Sequence, residues 1–323
     1  MATQLLAQEQ QHGQFLARVA KQLTEQSTDE MAAFIESYTQ TEQAQILEMA
    51  YDYLYLQLLA QKVLSRDAQA KLRFLLSLRS QLSVTKQRED VATPQTSPEQ
   101  GHHARQFSLA AGQVQHKQAM EVGYRQAYHQ MQDPIAGYRL GTELKFLDVV
   151  AQLRENQVKL KEFGLLSVHS HPAKNAFEWP LSWGFDIAWQ QEAIHQGKMS
   201  TQKQHGVFNI NLQAGYSVLD ANMRHLCYGQ AQMFLQAGQA LDQGWRVGLG
   251  PSLGCQQVWT QHLQSNIEFN LPFWQDQNAW NFRNKTTLQY ASSVNQVWRL
   301  NYQYQKQQHK DMQSLMLSYH KFY

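Results

Sequence analysis

From about residue 106 to the C-terminus, apolar and polar residues alternate at period two, segment after segment. Trp183, Phe185, Ile187 and Trp189 fall on one face of a strand, with Gly184, Asp186, Ala188 and Gln190 on the other. Phe208, Ile210, Leu212 and Tyr216 stand in the same way against Asn209, Asn211, Gln213 and Gly215. Trp298, Leu300, Tyr302 and Tyr304 stand against Arg299, Asn301 and Gln303. The pattern predicts strands near 106–115, 118–126, 141–155, 157–168, 182–192, 205–216, 225–236, 244–253, 255–263, 265–271, 281–291, 296–305 and 312–323. A closed single-chain barrel normally has an even number of strands, so one of these thirteen segments is expected to be broken or merged. The fold predicted is mainly β: an antiparallel up-and-down β-barrel of about 12 strands behind an N-terminal α-helical segment.

Residues 1–85 follow a period of 3.6 and predict that helical segment. Ser27-x-x-Glu30 and Thr39-x-x-Glu42 fit the capping box, in which the hydroxyl and the carboxylate satisfy backbone N–H groups at a helix start. Ile46, Ala50, Tyr53, Leu54 and Leu58 make the apolar stripe of a helix over 41–64, and Leu72, Leu75, Leu76 and Leu82 that of another over 66–82. Residues 86–105, with Pro94, Pro98 and Gly101, predict a linker before the barrel at 106–323. Its His102 and His103 read as solvated.

A soluble sandwich also alternates, with its apolar face inward. Three features favour a membrane barrel of the outer-membrane type. The polar face is rich in Asn, Gln, Ser and Gly, which suits an enclosed lumen. Aromatics at Tyr124, Tyr128, Trp179, Trp183, Phe273, Trp274 and Trp280 gather toward strand ends, as interfacial girdles require. The last strand places Leu315, Leu317, Tyr319 and Tyr323 on one face and stops on an aromatic, which resembles the terminal-strand signal of outer-membrane barrels. Lys321 interrupts that face, where an interfacial lysine can snorkel. The rival reading is a soluble, lipocalin-like periplasmic binding domain.

A net charge of +2 with only 17% charged residues argues against a nucleic-acid partner. Cys227 and Cys255 carry no CxxC spacing, so no zinc site is expected; they read as two half-buried strand residues, with a disulfide left open. His169 and His171 lie on one side of a strand, but without a third ligand nearby no metal is expected, and no cofactor either. The N-terminus lacks the features of a signal peptide, and no apolar stretch is long enough for a spanning helix. A barrel must be exported, so the chain is expected to be the C-terminal portion of a longer exported protein, located in the outer membrane with its helices in the periplasm.

Ala50-Tyr51-Asp52-Tyr53-Leu54, Gly101-His102, Arg125-x-Ala127-Tyr128-His129, Asp133-Pro134, Gly137-Tyr138, Gly141-x-Glu143-Leu144-x-Phe146-Leu147-Asp148 and Pro180-Leu181-Ser182-Trp183 occur in that order. Together they resemble a family of uncharacterised Gram-negative envelope proteins, over nearly the whole chain. In that family an upstream periplasmic domain resembles the N-terminal domain of the Lnb-type lipoprotein N-acyltransferase and would hold a Cys/His site. The resemblance implies a barrel anchor or scaffold for an acyltransferase or thiol hydrolase whose catalytic domain is absent here. Implied partners are outer-membrane lipid and that upstream domain; the oligomeric state is not indicated.

The best candidate functional segment is the loop over residues 128–138, with Tyr128, His129, Asp133 and Tyr138. It could form a plug, touch a lipid headgroup or dock the missing domain. His129 with Asp133 could be a proton-transfer pair, and on that alternative the loop completes a lipid-acting enzyme site inside the barrel. Arg125, Glu143 and Lys145, with Arg139 beside them, are candidate lumen charges that must find partners if buried. Glu143 and Asp148 have opposite parity and are expected on different faces.

Overall fold

The computed structural model describes residues 2–61, 66–83, 96–194, 204–307 and 310–323. The first unit is helical: α1 Ala2–Glu25, α2 Thr28–Ile35, α3 Gln40–Gln61 and α4 Arg66–Ser80. Both capping boxes form, with the Ser27 N–H donating to Glu30 Oε2 at 3.2 Å and the Thr39 N–H to Glu42 Oε2 at 3.0 Å. Leu16, Leu23, Met31, Ile46, Ala50 and Leu75 pack into one buried core, the α3 stripe supplying its centre. Lys174–Trp179, from a connection between two barrel strands, belongs to this unit. Its Phe177 ring stacks on Tyr53 at 4.8 Å, and the Phe177 carbonyl accepts from Lys21 Nζ at 3.0 Å.

The second unit is a closed antiparallel barrel. Its elements are β1 Gln106–Val114, β2 Lys117–His129, β3 Thr142–Arg154, β4 Gln157–Ser170, β5 Ser182–Ala193, β6 Gln204–Leu219, β7 His225–Ala237, β8 Trp245–Val258, β9 Leu263–Asn270, β10 Phe273–Trp274, β11 Ala279–Ser293, β12 Gln296–Gln307 and β13 Lys310–Phe322. From β1 to β9 and from β10 to β13 each strand pairs with its neighbour in sequence, and β13 pairs with β1 to close the ring, Leu109 opposite Tyr319. β9 and β10 both lie between β8 and β11 in one register, parted at Leu271-Pro272 because proline has no N–H for the ladder. The wall therefore has twelve strands, with no free edge.

The surplus segment of the sequence reading lies in β8. Residues 244–253 and 255–263 were expected as two strands parted at Gly254, but one strand, Trp245–Val258, runs through that glycine. Gly254 does not turn the chain. It makes room for the Tyr228 ring opposite, which a Cβ at this position would strike.

The large apolar residues face outward. Leu288, Leu300, Leu317 and Ala111 are successive cross-strand partners on β11, β12, β13 and β1, and Leu300 and Leu317 keep 42% and 51% of their surface exposed. Trp183, Phe208, Leu249, Leu253, Trp298 and Leu315 are exposed in the same way. Facing inward are the amides, among them Gln213, Gln230, Gln232, Gln256, Gln264 and Gln289, all buried. This polarity is the reverse of a soluble sandwich and is that of an outer-membrane-type barrel.

Cys227 and Cys255 are half-buried strand residues, and the disulfide that the sequence left open forms between them, directly opposite one another in the β7–β8 register. Two expectations need correction. Trp274 is not part of a girdle: it points into the lumen, fully buried, with the Arg246 guanidinium 4.0 Å over its ring, and Trp179 belongs to the helical unit. Asp148 faces the lumen together with Glu143, because Leu147 between them takes a positive φ of 49° and shifts the parity of the strand.

Candidate functional site: a plug in the barrel lumen

The connection between β2 and β3, residues 130–141, enters the lumen instead of passing over the rim. It starts with a turn closed twice: the Asp133 N–H donates to the Gln130 carbonyl at 2.7 Å, and the Gln130 N–H donates to Asp133 Oδ2 at 2.7 Å. Gly137 and Gly141 carry the chain back at φ +81° and +74°, a region that suits glycine.

The barrel wall holds this loop by spokes from several strands. Asp133 is fully buried; its Oδ2 accepts from Arg125 Nη2 of β2 at 2.6 Å, and its Oδ1 from Arg299 Nη2 of β12 at 2.6 Å. Gln264 of β9 donates to the Asp133 carbonyl at 2.7 Å. Gln256 of β8 donates to the Met131 carbonyl at 2.7 Å and accepts the Gly141 N–H at 2.8 Å. Glu143 of β3 accepts the Met131 N–H at 3.2 Å. A buried loop carries backbone groups that must be paired, and the inward amides are the pairing groups.

Burial by itself pushes the Asp133 carboxyl up, but the Arg125 and Arg299 guanidiniums, with His102 beyond them, hold it far below the usual carboxylate range. His102, expected as solvated, is buried: its ring lies between the Asp133 carboxylate at 3.7 Å and Phe322 at 4.6 Å. Burial lowers its pKa while Asp133 pulls it up. His103 is the exposed member of the pair. With His102 Nδ1 donating to the His103 carbonyl at 2.7 Å, its Nε2 accepts from His129 Nδ1 at 2.8 Å. Tyr138 stacks on His129 at 4.0 Å and is itself pushed upward in pKa by burial.

His129, Asp133 and Tyr138 thus come together, while Tyr128, 54% exposed, faces outward at the end of β2. The expected His129–Asp133 pair is not a direct one; His102 stands between them. The three expected lumen charges are inside but do not pair with each other. Arg125 holds Asp133; Glu143 also accepts from Ser167 Oγ at 2.7 Å; Lys145 lies 3.3 Å from Asp148 and 3.6 Å from Glu162. Arg139 is exposed and takes no part.

Among the described residues, one group has metal-ligand proximity: a ligand atom from each of His102, His129 and Asp133 lies within 4.8 Å of the others. The donor set does not fit a cation, because the Asp133 oxygens already serve two guanidiniums and His102 Nε2 is taken up by His129 Nδ1, which leaves His129 Nε2 as the one ring nitrogen of the group without a partner. His169 and His171 diverge. His169 Nε2 lies 2.8 Å from Asp186 Oδ1, whereas His171 stacks on Tyr228 at 4.2 Å, where burial lowers its pKa to about 4.

The sequence reading missed Arg299, His102, Gln256 and Gln264. A signal existed for Arg299, the charged residue on the inward face of its strand, for which an enclosed lumen demands an anionic partner. Near the opposite rim a second charged layer forms, with Arg283 Nη2 2.9 Å and Arg246 Nη2 3.5 Å from Glu192 Oε2.

An apolar outer wall around a lumen that one of its own loops enters defines a plugged barrel of the outer-membrane type. The chain belongs to the family described as Domain of unknown function (DUF7840), which matches residues 95–322, and residues 1–91 match a second, Domain of unknown function (DUF7842). No curated protein matches the chain. Among solved structures, it is similar to an outer membrane channel from Pseudomonas putida F1, with 10% identity over 75% of this chain and 100% of that one and a TM-score of 0.43. It is also similar to the KdgM porin, with 6% identity over 68% and 99% and a TM-score of 0.39. The outer membrane protein Omp33 of Acinetobacter baumannii gives 9% identity over 69% and 99%, with a TM-score of 0.34.

Proposed function

We propose that this chain is a membrane anchor and scaffold of the cell envelope. The barrel sits in the outer membrane with its lumen shut and carries its helical unit, and a catalytic domain of the acyltransferase or thiol hydrolase kind, on the periplasmic side. The observation that carries the reading is the clamp of Asp133 between Arg125 and Arg299. A diffusion pore needs a clear lumen, whereas here buried ion pairs are used to hold the connection between β2 and β3 inside. β1 begins and β13 ends at the same rim, so the polypeptide that precedes the barrel is delivered to one side of the membrane. The family resemblance of the Tyr128-His129 and Asp133-Pro134 segments supports the catalytic partner.

The test is fractionation of the chain expressed behind an export signal. An anchor stays in the outer-membrane pellet after a urea wash and migrates faster on a gel when it is not boiled. Release by urea with unchanged migration would contradict the anchor.

A further inference from the structure

Between the plug and the opposite rim the lumen keeps open space. Gln130 and Met131 of the plug line a cavity of about 290 Å³. A second cavity of about 340 Å³ extends past Gln303 and Met312 toward the opposite rim, and Glu268 and Lys285 line both. An enclosed charge is costly unless it is paired, and most of the charge here is. Arg283 is on Glu192, Lys145 on Asp148 and Glu162, Lys161 on Glu121, and His169 on Asp186. Glu143 accepts the Met131 N–H and the Ser167 hydroxyl.

Two charges of the lining are left over. Lys285 Nζ makes neither a hydrogen bond nor an ion pair with any described residue. It acts on Glu162 from beyond ion-pair distance, but Lys145 already holds that carboxylate at 3.6 Å. Glu268 has a neutral partner only, the Asn270 Nδ2 that donates to its Oε1 at 2.8 Å. Lys285 and Glu268 are direct cross-strand partners on β11 and β9, of opposite sign, and still stand farther apart than an ion pair. A simple anion would settle Lys285 and leave Glu268 bare, a simple cation the reverse, and a neutral ligand would leave both. A molecule that carries both charges compensates both residues and breaks none of the existing pairs. We propose that the space between Lys285 and Glu268 binds a small zwitterion, its anionic group on Lys285 and its ammonium group on Glu268. An α-amino acid or short peptide has this chemistry, and so has a phosphoethanolamine headgroup.

The inference rests on the closed-lumen reading for the plug that bounds the first cavity. It is tested on the full chain, folded in detergent, by calorimetric titration with L-alanine, L-alanyl-L-alanine and glycerophosphoethanolamine. At least one is expected to bind saturably at millimolar concentration, and the one that binds separates an amino-acid source from a lipid one. Its N-acetylated form, an anion alone, and its cation alone, the amide or ethanolamine, should each bind about tenfold more weakly, because each loses one charge-assisted contact. Lys285→Gln and Glu268→Gln, each checked for unboiled gel migration, should weaken the zwitterion by about the same tenfold. The singly charged analogues decide the matter on the unaltered protein if a variant does not fold. No saturable binding by any of the three, a singly charged analogue that binds as tightly as its parent, or binding unchanged in both variants would overturn it. Failure of the plug itself would show separately, as ion conductance by the unaltered protein.

Discussion

Arg299 and Asp133, 166 positions apart in sequence, meet at 2.6 Å inside the lumen. Arg125 takes the other oxygen of the same carboxylate at 2.6 Å. β2 and β12 are thereby joined through a loop that belongs to neither face of the wall.

Replacing Asp133 with asparagine should leave two buried guanidiniums with no counter-charge, at a cost of roughly 3–5 kcal/mol. The wall does not depend on the clamp, so the variant should still migrate as a folded barrel when unboiled. Urea unfolding of both proteins in matched detergent measures the loss. A change under about 0.5 kcal/mol, the scale of an ordinary surface substitution, would show that the clamp is incidental.

Acid should loosen the plug. Burial, against the pull of Asp133, keeps His102 below its usual value of 6.5, so His102 takes up a proton when the plug is released that it refuses while the plug is docked, and stability falls as the pH drops below 6.5. Asp133, held far below its usual 3.8 by the two arginines despite burial, adds stability above 3.8 that is lost below it. Both act in the same direction. Hydrogen exchange at the Met131 and Gly141 amides, corrected for intrinsic rate, should show weaker protection at about pH 5 than at about pH 7.5. Equal protection would count against a buried, neutral His102.

The outward belt predicts a depth-dependent penalty. Leu300→Arg should destabilise the barrel in lipid by roughly 2–4 kcal/mol, measured by reversible folding into phospholipid vesicles. A penalty near zero would mean that this face does not meet hydrocarbon.

The Cys227–Cys255 bridge closes a loop across the β7–β8 hairpin, and Cys255→Ser should cost about 3 kcal/mol or less, since the paired strands already restrict that loop. Thermal unfolding with and without reductant should match the variant to the reduced parent. Identical curves for oxidised and reduced protein would show that the bond adds nothing.

The wall was legible because period-two alternation is a local signal: Trp183, Trp298, Leu300 and Leu317 announced their face directly. Strand count was less so, since Gly254 reads as a break and only the Tyr228 ring on the neighbouring strand explains it. Leu147 could not be foreseen, because nothing in its type calls for a positive φ, and with it went the orientation of Asp148. The site was half visible. Asp133 and Arg125 stood out as charges near a turn, but Arg299 comes from the far end of the sequence and meets them only once the ring closes. His102 looked solvated because a linker composition surrounds it, and its burial depends on Phe322 and Tyr138 arriving from elsewhere.

Planar-bilayer conductance tests the central claim most directly. The unaltered chain should insert without opening steady channels, and a variant with residues 130–140 replaced by a short glycine–serine turn should conduct. Steady conductance by the unaltered protein, equal to that of the variant, would contradict a lumen closed by its own loop.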